Sequence, residues 1–230
     1  MNKTKSVLVA AGVSLAMVFT LSCSSDDGNG TSSDDTHGDS GNFTDSRDSK
    51  TYKWVRIGDQ IWMAENLNYD ADNSKCYIGY GTSEDYCPKY GRLYNWATVM
   101  NEAASSTTNP SGVRGICPEG WHVPSDVEWD ELIATVGDAA GNKLKTTNGW
   151  GYDEQPNFDG TDEYGFSALP GGDGSHSGFY EAGVRGNWWS ATESSASDAY
   201  SRNMRSANST VGRSFASKTS LYSLRCLRDN

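Results

Sequence analysis

Apolar and polar positions divide the chain into three stretches. Residues 7–21 read VLVAAGVSLAMVFTL, nearly uncharged, with Lys3 and Lys5 just before them. Residues 24–50 carry a single large apolar residue, Phe43. From Tyr52 onward apolar residues return in regular patterns. Residues 52–57 and 60–63 are β-rich, and Gly58-Asp59 between them predicts a hairpin turn. Leu93, Trp96, Ala97 and Met100 recur at i, i+3, i+4 and i+7, as do Trp129, Leu132, Ile133 and Val136, which predicts two amphipathic helices. The second has a defined start, with Ser125 and Glu128 spaced as a capping box behind Pro124, and Gly137 at its stop. Past Gly149, glycine, asparagine and serine punctuate short aromatic segments. Of these, 165–172, 186–190 and 221–226 read as strands.

The first stretch has the layout of a secretory signal: a basic start, an apolar run shorter than the roughly 20 residues a spanning helix needs, and small Ser22 before Cys23. Cysteine directly after such a run resembles the lipobox of bacterial lipoproteins. There the sulfur receives a diacylglyceryl group and cleavage leaves the cysteine as the first residue. Thr20 stands where that motif usually has leucine. The resemblance implies a signal peptide over 1–22, a lipid at Cys23 and a membrane as partner. Residues 23–50 then form an acidic tether, too polar to offset the entropy of ordering, with the folded domain at 51–230. Ser24, Ser25, Asp26 and Asp27 resemble acidic signals that send some lipoproteins to the cell surface. The expected place is the cell envelope, at the outer membrane or the surface.

Composition narrows the function. The net charge of −11 repels phosphate backbones and argues against nucleic acid as a partner. Eight tryptophans and twelve tyrosines serve equally a core or a sticky surface. With Cys23 set aside, Cys76, Cys87, Cys117 and Cys226 remain. In an oxidising compartment they have three possible pairings. Cys76–Cys87 with Cys117–Cys226 is favoured, closing a short polar loop and tying the middle of the domain to its end. Zinc is disfavoured because no CxxC pair is present.

Several phrases together resemble the Fibrobacter succinogenes major paralogous domain. They are residues 61–67 (IWMAENL), 90–97 (YGRLYNWA), 117–129 (CPEGWHVPSDVEW), 162–172 (DEYGFSALPGG), 188–192 (WWSAT) and 224–229 (LRCLRD). Gly120 to Trp129 is also similar to a phrase of formylglycine-generating enzymes, and Arg225-Cys226 to a late strand of that group. This implies an α+β, C-type-lectin-like fold with two helices, a small twisted antiparallel sheet and long irregular loops. The reactive cysteine pair of those enzymes has no counterpart in 199–205, and Cys226 reads as structural, so that activity is not expected.

The expected function is a non-catalytic binding or adhesion module, for carbohydrate or another surface protein. Trp150, Tyr152, Phe179, Tyr180 and Trp188 are the candidates for stacking on sugar rings. The alternatives are an enzyme with a carboxylate site, such as Asp162 and Glu163, and a purely structural surface protein. No cofactor is expected. Calcium is considered because Gln155-Pro156-Asn157 is similar to the sugar-binding triplet of C-type lectins, with Glu154, Asp159 and Asp162 as further oxygens. His122 and His176 have no patterned partner, and Ser125 serves as a cap.

Overall fold

The computed structural model describes residues 39–79, 85–151 and 159–229. Strand β1 (Ser40–Thr44) carries Phe43 and pairs antiparallel with β2 (Thr51–Ile57). Phe43 stacks on Trp121 at 4.3 Å and on Tyr52 at 5.6 Å. Asp45, 1% exposed, takes Arg47 as an ion-pair partner at 2.6 Å. The expected start of order at residue 51 therefore moves back to 39. One aromatic ring and one buried ion pair hold residues that read as tether by composition. The proposed signal peptide, Cys23 and the rest of the tether lie outside the described residues.

The first sheet has the order β1-β2-β3-β10-β4, with β3 at Gln60–Met63, β4 at Trp121–His122 and β10 at Leu227–Arg228. All its pairings are antiparallel. The predicted hairpin is β2–β3. The second sheet is ordered β6-β5-β7-β8-β9: β5 Gly171–Ser175, β6 Gly178–Ala182, β7 Arg185–Glu193, β8 Asp198–Arg205 and β9 Gly212–Ser217. Only β5–β7 in it is parallel.

Four short helices accompany the sheets among the described residues: α1 Cys87–Tyr90, α2 Trp96–Met100, α3 Asp126–Val136 and α4 Ala140–Leu144. Helix α3 starts as its sequence dictates. Ser125 Oγ accepts from Glu128 N at 3.2 Å, and Glu128 Oε2 accepts from Ser125 N at 2.8 Å. The domain is thus α+β and mostly strand, with two five-stranded sheets in place of one small sheet and four helices in place of two. The strand expected over 165–172 begins only at Gly171. The one expected over 221–226 gives isolated bridges, with regular pairing from Leu227.

Strand β7 joins the two halves of the core. Side chains alternate across a strand, so Trp188 joins the cluster of Trp62, Trp129 and Phe166, while Trp189 packs on Tyr222 at 4.6 Å. Disulfides Cys76–Cys87 and Cys117–Cys226 form in the favoured pairing. The second spans 109 residues and anchors the last strand beside β4.

Candidate functional site

The phrases that carry the family resemblance meet inside the protein. Asn66 Oδ1 accepts from Trp188 Nε1 at 2.8 Å and from Arg225 Nε at 2.9 Å, and Asn66 Nδ2 donates to Tyr90 O at 2.8 Å. Arg225 is fully buried, and among the described residues no carboxylate is in ion-pair contact with it. Its guanidinium donates to the carbonyls of Phe166, Ser167 (2.7 Å) and Met63 (3.4 Å), and lies over the Phe166 ring at 4.3 Å. Burial pulls its pKa down to about 9, which still leaves it charged at neutral pH. These residues hold the fold together and present no surface to a ligand.

That geometry corrects two candidates. Trp188 is 0% exposed and Trp150 3%. Trp150 Nε1 donates to Thr146 Oγ1 and Ala168 O. Neither ring can stack on a sugar, because each lies in the core. Tyr180 is 44% exposed, on edge strand β6, and Phe179 beside it is half-buried against Tyr77. Tyr152 lies outside the described residues.

Asp162 and Glu163 are taken up separately. Asp162 accepts from Ser167 N and Oγ at 2.7 and 2.6 Å, and Glu163 from Thr161 Oγ1 at 2.9 Å. Of the expected calcium oxygens, Asp159 accepts from Trp150 N at 2.8 Å, while Glu154 and Asn157 lie outside the described residues. Asp85 lies near Cys76 and Cys87, but a disulfide offers no thiolate to a metal.

Two buried ionic assemblies escaped the reading of the sequence. His122 is held between two carboxylates, with Nε2 at 2.8 Å from Glu128 Oε1 and Nδ1 at 2.6 Å from Asp229 Oδ1. Burial alone would lower its pKa, but the bonds and charges of Glu128 and Asp229 outweigh it and raise it. Arg202, 2% exposed, bonds Asp126 at the start of α3 and reaches Asp130 at 2.8 Å, and Arg213 holds the other Asp126 oxygen at 2.6 Å. Neither assembly contains a nucleophile beside a base. The signal for the first was the capping-box glutamate, whose second oxygen needs a donor once buried.

An open cleft of about 960 Å³ lies between residues 69–73, α2 with its exit, and the 112–116 turn. Its floor is Tyr69, with the Arg47 guanidinium over the ring at 3.9 Å. Arg47 is fixed by Asp45 and by the Ile116 carbonyl at 2.9 Å. Burial would raise Asp45, but the bonds of Arg47 hold it below its ordinary range. Around the rim stand exposed Asp72, Asn73, Asn101, Glu102 and Arg114. Asn73, Asn101 and Glu102 have left-handed backbones, φ 64, 46 and 68°. A rigid floor and a rim of mixed polar groups suit reversible binding of a polar ligand. Sequence could not show this cleft, because Arg47 belongs to the apparent tether and the rim is loop.

Fold and site define a disulfide-stapled α+β domain with an open polar cleft. The chain belongs to the Fibrobacter succinogenes major domain family, whose model matches residues 55–228. Searches of curated proteins and of solved structures found no match.

Proposed function

We propose that this chain is a cell-envelope lipoprotein, anchored through Cys23, whose domain is a non-catalytic binding or adhesion module of C-type-lectin-like fold. The observation that carries the binding reading is the cleft over Tyr69. It is broad and polar, and its floor is tied to the fold through Arg47, so a ligand meets a base that needs little ordering. The anchor rests on the sequence around Cys23, and the outward location on that and on the two disulfides, which persist in oxidising compartments. The lectin-like reading rests on the helix-start phrase and the pairing of the last strand with β3 and β4.

A glycan array and a fibre pull-down with the full chain, run beside a hydrolase screen, test the module. Retention without turnover, weakened by Arg114→Glu or Asn101→Ala on the rim, is the expected result. Turnover abolished by Asp162→Asn would replace the module with an enzyme. The anchor is tested separately: Cys23→Ala should release the protein from membranes.

A further inference from the structure

The outer end of the second sheet carries polar groups whose bonds are left open. Directly opposed residues of an antiparallel pair share a face, as do residues two apart. Arg185 pairs with Arg205 and Asn187 with Asn203, so these four lie on one face. Gly172 of β5 pairs with Gly186 of β7, which sets Asp173 beside Asn187, and Gly174 bridges Leu221, which brings Tyr222 alongside. Tyr180 stands directly across from Asp173 in the register.

Asn187 is 1% exposed, and its Oδ1 has no hydrogen-bond partner among the described residues. Arg185 Nε is likewise buried and unpartnered, although its Nη1 reaches Glu181 at 3.1 Å. Buried polar atoms are nearly always bonded, so two on one face require an explanation. Two arginines set directly opposite each other are also unfavourable for the sheet.

We propose that this face is a saccharide subsite, separate from the cleft, that takes a neutral, hydroxyl-rich ring. It rests on the binding-module reading and names a ligand class for a second surface. Donors and acceptors are interleaved: Arg185 and Arg205 donate, Asp173 and Asn187 accept, and the Tyr222 hydroxyl does either. A sugar hydroxyl both donates and accepts, and vicinal hydroxyls match such a pattern. The charges balance, with Asp173 and Glu181 against Arg185 and Arg205. An anion would meet the two carboxylates and a cation the two guanidiniums, so neither is favoured. Exposed Tyr180 supplies an apolar ring face at the edge for the C–H face of a sugar. Asp173, Arg205 and Tyr180 reach solvent and make first contact. Asn187 Oδ1 and Arg185 Nε are buried on the same face, where a water held by a bound hydroxyl would supply the bonds they lack.

The test uses the full chain in a sugar-free detergent and the methyl glycosides of glucose, galactose, mannose and xylose, with glucuronate and glucosamine as charged counterparts. Saturation-transfer NMR identifies binders and titration gives their affinities. At least one neutral glycoside should bind better than either charged sugar. Asp173→Asn and Arg205→Ala should each weaken it about tenfold, Tyr180→Ala about threefold, and Glu119→Gln, on an exposed turn, should change nothing. Should one of these variants unfold, the others still decide, since they lie on different strands. Binding unchanged in Asp173→Asn and Arg205→Ala, or stronger for glucuronate than for every neutral sugar, overturns the subsite and leaves the cleft reading intact. If no glycoside binds while the fibre pull-down succeeds, the subsite alone fails. If both fail, the module reading fails with it.

Discussion

The hub around Arg225 and the face around Asp173 are both polar, and they treat their polar atoms in opposite ways. In the hub, Asn66 serves Trp188, Arg225 and Tyr90 at once, and the guanidinium is enclosed by carbonyls and a ring. At the outer end of the second sheet, Asn187 Oδ1 and Arg185 Nε have no bond partner among the described residues and like charges oppose each other. The first arrangement specifies a single packed fold, because an unmet bond there would cost its full desolvation. The second gives up stability, which under the proposed subsite a ligand's bonds would return. The family phrases fall in the first region, so they report how the domain folds more than what it binds.

Breaking the hub and opening the long disulfide loop should have the largest effects. Arg225→Ala leaves the carbonyls of Phe166 and Ser167 without donors and opens a cavity beside Trp188. It should cost about 3 kcal/mol or more of stability by chemical denaturation. Arg225→Lys should recover little of this, since an ammonium lacks the planar fork that reaches several carbonyls together. A loss below about 1 kcal/mol would show that the hub does not govern the fold.

The loop closed by Cys117–Cys226 spans 109 residues and that of Cys76–Cys87 spans 11. By chain entropy a loop near 100 residues is worth about 4.7 kcal/mol and one near 15 about 3. The paired change Cys117→Ser with Cys226→Ser should therefore lower the denaturation midpoint more than Cys76→Ser with Cys87→Ser. The reverse order would place the weight of the fold in the 76–87 loop.

Local elements were legible in the sequence, but neither the hub nor the outer end of the second sheet was. The capping box, the β2–β3 hairpin, α2 and α3 follow from local spacing, where each residue's partner is near in sequence, whereas Cys117–Cys226 joins residues 109 apart and was favoured among three pairings. Strand β1 was hidden because its single ring, Phe43, sits among polar residues, and its stability comes from Trp121, far along the chain. Trp150 and Trp188 were open to either reading because an indole suits a core and a sugar site equally. Only position decides: both faces of β7 are buried, which encloses Trp188, and Trp150 is tied to Thr146 and Ala168. Asp173 sits among glycines in GGDGS, where nothing local distinguishes a turn carboxylate from a binding one.

The histidine bridge links the regions in kind, being ionic like the outer face and buried like the hub. Its pKa is raised, so the folded state holds the proton more tightly than the unfolded one. The resulting stability is fully present below the unfolded value of about 6.5 and is lost as pH rises through the folded value. Denaturation midpoints should therefore fall between those limits, and the fall should vanish in His122→Gln. A flat profile in the unaltered protein would mean that His122 is neutral and that one carboxylate stands without its donor.

The smallest effect carries the sharpest contrast. Burial raises the carboxyl of Asp173 above its ordinary value, against the pull of Arg185 and Arg205. Here too the folded state binds the proton more tightly, so stability falls as pH rises from about 3.9 through the folded value. At neutral pH the ionised form is a small liability. Asp173→Asn keeps the shape and removes the charge, so it should raise the midpoint and stabilise the fold by about a few tenths of a kcal/mol, the opposite sign to every change in the hub. Removing a group that only stabilised the sheet would lower the midpoint instead. Such a drop would make Asp173 a structural residue and erase the distinction between a face built to hold the fold and a face built to hold something else.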